Sequence, residues 1–152
     1  MDKVWSSTQE QYVKWELIGY RWTEDVDLSE SHDLSDRFSR PDWDLWIRPQ
    51  LKKILKAINR DPTTRQALVC GWPDEVLQGD KPPCIFAMQV LPRPDRVDVV
   101  FYVRSWGTEK VGGDKQFMRE VCRFLHRVYW PKRAVRLTVL AGSYHEHEGV
   151  AR

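Results

Sequence analysis

Two runs of β-forming residues, "CIFAMQVL" (84–91) and "VDVVFYVR" (97–104), stand five residues apart across "PRPDR". A link that short is a hairpin connection, so the two runs are expected to pair antiparallel. The second run alternates, with Val97, Val99, Phe101 and Val103 on one face, and that face asks for a core. A lone hairpin is marginal in water, so the rest of the chain has to cover it. Ile47, Leu51, Ile54, Leu55 and Ile58 recur at helical spacing, with Pro49 tolerable in the first turn, and mark an amphipathic helix ending near "NRDP". "QALVCGW" (66–72) reads as a short buried strand and "PDEVLQGDKPP" as turn-rich. "SWGTEKVGG" reads as a glycine-bearing loop, and Phe117, Val121, Phe124, Leu125 and Val128 mark a second amphipathic helix. "AVRLTVLAG" closes as a strand and leaves a histidine-rich tail, while the acidic, serine-rich residues 21–42 read as a long loop. The expected class is α+β, a mixed β-sheet covered by helices in a single domain over residues 1–152.

With 41% hydrophobic residues in 152, the chain can bury one real core. A net charge of +2 lacks the strong basic field of a nucleic-acid binder, which favours a free small anion held by local arginines. No apolar run approaches the roughly 20 residues that cross a bilayer, and the start "MDKVWSSTQEQ" has no apolar leader core. These features read as a soluble, cytoplasmic protein without a membrane partner. Cys70, Cys84 and Cys122 are odd in number and contain no C-x-x-C pair, which points to free thiols.

A hairpin closed symmetrically about Pro94 sets Leu91 against Val97 and, counting outward, Cys84 against Arg104. Opposed residues of an antiparallel pair share a face with Cβ atoms ~5 Å apart. A guanidinium there favours the thiolate, and the same arginine, followed by Ser105, suits a phosphate or carboxylate. A slip of one residue would put the two side chains on opposite faces. A cysteine that begins a buried strand also serves as a small hydrophobe, so these residues alone leave a packing role and a nucleophile both open.

"NRDPTTRQALVCGW", "PPCIFAMQ" and "FYVRS" together resemble the core of thymidylate synthase and the related pyrimidine nucleotide hydroxymethylases. That family carries a "DP-x-(S/T)-R-R" turn, a "PPCH" or "APCH" nucleophile and "Y-Q-R-S" in this order. "VGGDKQF" is similar to its "LG-x-P-F-N-I" helix opening, "LAGSYHEH" to its "GGD-x-H-x-Y", and "LIGYRW" to its "YG-x-x-x-R". The resemblance implies a truncated thymidylate synthase-like fold and a C5-methyl- or hydroxymethyltransferase acting on a pyrimidine nucleoside monophosphate. It makes Cys84 the nucleophile at C6 of the base and Arg104 its support and a phosphate ligand beside Ser105. Arg65 becomes a phosphate ligand supplied to the neighbouring subunit of a homodimer, and His145 and His147 ligands of the sugar hydroxyl. Gln116, or Lys115 or Asp114 under another alignment of the loop, falls at the amide that reads the base edge. The implied cofactor is 5,10-methylenetetrahydrofolate.

The departures are specific. Ile85 stands in place of the histidine after the nucleophile, Gln66 in place of the second arginine, and Val103 in place of the glutamine before "RS". The family's N-terminal arginine loop and its C-terminal closing tail have no counterpart in these residues. A second reading is therefore a catalytically degenerate nucleotide-binding protein or a subunit of a larger assembly. At "HEHE", His145 and His147 are two apart and could share a metal ion, but no third ligand is indicated, and a solvated tail is the simpler expectation.

Overall fold

The computed structural model describes residues 5–6, 11–30, 40, 42–70 and 84–148. The turn-rich stretch 71–83, and residues 31–39 and 41 of the loop expected at 21–42, lie outside them. The elements in chain order are β1 (Trp5–Ser6), β2 (Gln11–Asp25), a π-helical turn (Asp42–Ile47) and a 3₁₀ turn (Arg48–Gln50) that lead into α1 (Leu51–Arg60), β3 (Leu68–Cys70), β4 (Ile85–Pro92), β5 (Arg96–Gly107), α2 (Thr108–Tyr129) and β6 (Ala134–His147). The six strands form one sheet in the order β1-β2-β6-β5-β4-β3. Only β5 and β6 run parallel; the other pairs are antiparallel. The class is α+β, as expected.

The core lies between one sheet face and the helices. Val97, Val99, Phe101 and Val103 of β5, Val135, Leu137, Val139 and Ala141 of β6, and Val90 and Met88 of β4 pack with Phe117, Met118, Val121 and Leu125 of α2 in one buried cluster. Trp43, Trp46, Ile47, Leu51 and Ile54 bring the first helical segment into the same cluster. Both helices therefore sit on the strand faces that the alternation marked as apolar. The other side is called here the outer face.

Several expectations change. The loop read from residue 21 is the last third of β2 as far as Asp25, and Asp42 already begins helical structure. "SWGTEKVGG" is no loop: β5 continues to Gly107, whose extended backbone caps the first turn of α2 at Thr108. Gly112 and Gly113 lie inside that helix, where packing of its apolar stripe overrides their weak propensity. The histidine-rich tail is the end of β6, with His145 and His147 buried between strand neighbours. The hairpin link is three residues rather than five, with the Arg93 amide donating to the Arg96 carbonyl at 2.8 Å.

The register at that turn also differs by one. Val97 faces Pro92 rather than Leu91, and this pairing runs unbroken to Ala87 and Tyr102. A bulge at Phe86 then adds one residue to β4, so that Ile85 faces Val103. The extra residue restores the expected opposition of Cys84 and Arg104, and the Arg104 amide donates to the Cys84 carbonyl at 2.6 Å. Without the bulge, a straight ladder would set Cys84 against Ser105.

Three neighbouring strands also break their alternation at one level. In β5 the buried residues Val103 and Trp106 are three apart, where strict alternation needs an even spacing. In β6, Ala141 is in the core and Tyr144 reaches the same side, stacked on Tyr20 at 4.3 Å and 5.9 Å from Trp106. In β2 the break falls at Gly19, whose φ of +66° glycine adopts without a steric cost. Gly142 is required for a different reason: a Cβ there would lie 3.0 Å from the Arg104 carbonyl oxygen. Gly142→Ala should therefore lower stability by ~1–3 kcal/mol in urea unfolding, as an overpacked site does. Gly112→Ala, on an exposed helix position with no atom within 4 Å of the new methyl, should raise stability by ~0.5–1 kcal/mol; opposite signs for the two alanines are the result to look for.

Candidate functional site

The bulge and the shared break decide what the outer face presents. Beyond Phe86 the parity of β4 is inverted, so Ile85 joins the core and Cys84 is turned outward beside Arg104. Arg104 Nη2 lies 3.7 Å from Cys84 Sγ, and the thiol is half-buried. The remaining cysteines differ in kind: Cys70 is exposed on the short β3, and burial pushes the Cys122 thiol well above its ordinary range.

Beside this pair, a cleft of about 630 Å³ is lined by Gly19, Tyr20, Phe86, Tyr102, Val103, Arg104, Leu140, Ala141 and Gly142. The two glycines keep its floor low and the rings of Phe86 and Tyr102 form its walls, with Arg104 as its charged member. That combination suits a flat ring carrying an anionic group.

The carboxyl ends of the parallel strands β5 and β6 carry the next group. Ser105 pairs with Ser143 and Gly107 with His145 across the strands. His145 and His147 are buried with their rings edge to face, 4.8 Å between centroids. His147 Nδ1 has no hydrogen-bond partner and lies 3.6 Å from Glu109 Oε1 in the first turn of α2. Ser143 Oγ touches both Glu16 Oε2, at 2.5 Å, and His145 Nδ1, at 3.1 Å. Among the described residues no three histidine, cysteine or acidic side chains are grouped to hold a metal ion.

The three candidates for the base-reading amide have different places. Asp114 is buried, accepting from Trp106 Nε1 at 3.0 Å and paired with Arg40 Nη1 at 3.0 Å. Lys115 sits 4.0 Å over the Trp22 ring, and Gln116 donates to Glu120 Oε1 at 3.1 Å, a carboxylate that Arg123 also holds. Arg65 is exposed, and its carbonyl accepts from Gln89 Nε2 at 2.9 Å. Gln89 is five residues along the hairpin from Cys84, roughly 17 Å at strand rise. Within one chain, then, Cys84, Arg104 and Ser105 are brought together, with His145 on the strand beside them, while Arg65 and Gln116 stand apart. Glu16, Ser143, Glu109 and the aromatic walls had not been marked, because each enters only through pairing between distant strands.

No family model and no curated protein matches the chain. Solved structures do: thymidylate synthase from T4 phage superposes with a TM-score of 0.57 at 19% identity, covering 66% of this chain and 36% of that one. The chain has a thymidylate synthase-like fold. It spans about a third of the length of the phage enzyme, so the thymidylate synthase-like part described here is a sheet with its covering helices rather than the whole of such a protein. No described helix is long and apolar enough to cross a membrane.

Buried His145 gives this end of the sheet a pH signature. Burial, then the neighbouring His147, holds the His145 pKa below its ordinary value of 6.5. Its folded pKa is thus lower than in the unfolded chain, so the unfolded state takes up the proton first and stability falls as pH drops below about 6.5. Urea midpoints measured between pH 7.5 and 5.5 should decline more steeply for the wild type than for His145→Asn.

Proposed function

We propose that the protein is a pyrimidine nucleotide C5-transferase that works through a covalent bond from Cys84 to C6 of a nucleoside monophosphate. The observation that carries this reading is the Cys84–Arg104 pair, turned to the outer face by the Phe86 bulge and opening beside an aromatic-walled cleft. Attack of the thiolate forms the S–C6 bond, breaks the C5=C6 π bond and moves its electron pair toward C5 and the adjoining carbonyl. Arg104 stabilises the thiolate before the attack and Ser105 stands next to it for the phosphate. Phe86 and Tyr102 offer ring faces for stacking the base and the flat ring of a folate. Bound 5,10-methylenetetrahydrofolate would supply the one-carbon unit taken up at C5. Loss of the C5 proton would expel tetrahydrofolate by breaking its bond to the transferred carbon, leaving a methylene on C5 while Cys84 still holds C6. Hydride from the tetrahydrofolate, which would leave as dihydrofolate, or else water would then add to that methylene as the C5=C6 bond reforms and Cys84 departs as thiolate, giving a methyl or a hydroxymethyl product respectively. Asp114, the buried member of the three residues near the family's amide, is occupied by Trp106 and Arg40.

A homodimer fits the same reading. Arg65 and Cys84 lie toward opposite ends of the hairpin, and a two-fold axis between stacked outer faces, crossing the strands, would exchange those ends. Each Arg65 would then approach the neighbour's Cys84, together with the substrate phosphate.

A second reading keeps nucleotide binding and drops turnover. What favours it is the burial of Ile85 and Val103 in the core, where the family's polar residues would have to act; Ile85 also faces Val103 directly. Calorimetric titration with pyrimidine nucleoside monophosphates, with and without methylenetetrahydrofolate, separates the two: binding without a folate-dependent product supports the second.

The covalent role has a direct readout. Incubation with a 5-fluoropyrimidine monophosphate and methylenetetrahydrofolate should add one nucleotide and one folate at Cys84 by mass spectrometry, and Cys84→Ser should abolish the adduct with nucleotide affinity changed only a few-fold. For the dimer, mixing inactive Cys84→Ser and Arg65→Ala chains should restore up to about a quarter of wild-type activity, since half of randomly paired dimers hold one intact site. Absence of any recovery would place Arg65 outside the neighbouring site.

A further inference from the structure

Glu16 lies in "KWELIG" of β2, with nothing in its neighbourhood to mark it. Pairing with β6 sets it directly opposite His145, and sets Ile18 opposite Ser143. Side chains opposed across an antiparallel pair share a face, so Glu16, Ser143 and His145 are brought onto one side of the sheet. We propose that Glu16 and Ser143 act as positioning residues that hold His145 in its Nδ1–H tautomer, so that Nε2 is a lone-pair acceptor for a hydroxyl group of the substrate. This rests on the reading of the outer face as a nucleotide site, where that hydroxyl belongs to the sugar.

The tautomer follows from counting donors. Ser143 Oγ carries a single proton and lies 2.5 Å from Glu16 Oε2. An ionised carboxylate only accepts, so the serine proton goes to Glu16 and Oγ is left with lone pairs alone. His145 Nδ1, 3.1 Å from the same Oγ, must then be the donor. A neutral imidazole has one N–H, and its other nitrogen is bare. Burial and the adjacent His147 keep the ring neutral at pH 7. The titratable groups around it are Glu16 from β2, His147 on its own strand and Glu109 from α2, and Glu109 is directed at His147 Nδ1, 3.6 Å away.

An unprotonated nitrogen repels an anion and accepts from O–H. The phosphate is thus left to Arg104, and the His145 end selects ligands that bring a hydroxyl donor. A relay through a hydroxyl also means that threonine can replace Ser143 while alanine cannot.

The test begins with the wild-type protein labelled with ¹⁵N at histidine and long-range ¹H–¹⁵N correlation spectra at pH 7.5. His145 should show a protonated-type Nδ1 and an unprotonated-type Nε2. Ser143→Ala should move it toward the Nε2–H form, Glu16→Ala should give a mixture, and Ser143→Thr should keep the wild-type pattern. An Nε2–H tautomer in the wild type, or no change in Ser143→Ala, overturns the proposal, and the wild-type spectrum decides even if a variant fails to fold. In calorimetry, Ser143→Ala should weaken binding of 2′-deoxyuridine or 2′-deoxycytidine monophosphate roughly 3–10-fold, the worth of one hydrogen bond, and leave the 2′,3′-dideoxy analogues unaffected. Equal losses for both ligand types overturn the hydroxyl role. The expected tautomer in a protein that binds neither nucleotide would support the relay and instead refute the nucleotide reading.

Discussion

The parallel pairing of β5 with β6 is the constraint on which the remaining architecture depends. Parallel neighbours cannot be joined by a tight turn, so the chain has to leave the sheet, travel back along its length and re-enter. α2 makes that return, and the 22 residues of the helix are long enough to cover both strands. Its apolar stripe of Phe117, Val121 and Leu125 is buried against the alternating valines and leucines of the two strands. The same crossover puts the carboxyl ends of β5 and β6 and the first turn of α2 in one place, which is where open sheets with such units bind ligands. Ser105, His145 and Glu109 meet there for that reason.

The helices also leave the site on the opposite face of the sheet from the core. Polar and reactive groups on the outer face do not compete with hydrophobic packing, while a residue such as Ile85 does. This separation explains why Cys84 and Arg104 face outward although Ile85 and Val103 beside them are buried in the core. It also explains why the Trp106–Asp114–Arg40 arrangement, which ties the start of α2 to the segment before α1, acts as a brace at the edge of the core.

The central hairpin, α1, the second half of α2 and the first half of β6 were legible in the sequence because each has a clean period, apolar on one side and polar on the other. β2 was not. Its residues Tyr12, Trp15, Leu17 and Ile18 remain exposed, and the break at Gly19 interrupts the alternation by which a strand is recognised. The end of β6 was hidden for a related reason: histidines and glutamates look like a solvated tail until neighbouring strands bury them. At the site, the pairing of Cys84 with Arg104 was reached by counting from a turn whose register was one residue off, and the bulge made up the difference. Glu16 lies 129 positions before His145, and no local pattern signals a partner at that range.

The single extra residue at Phe86 makes the two ends of the hairpin independent of each other. The half nearer the turn can be optimised for packing, while the half carrying the thiol keeps its own orientation. In evolutionary terms this is a place where a small change decides much. Shifting the bulge past Cys84 would exchange Ile85 for Phe86 on the core face and rotate the sulfur from the open face toward the protein interior, while the ladder from Ala87 to the turn kept its pairing.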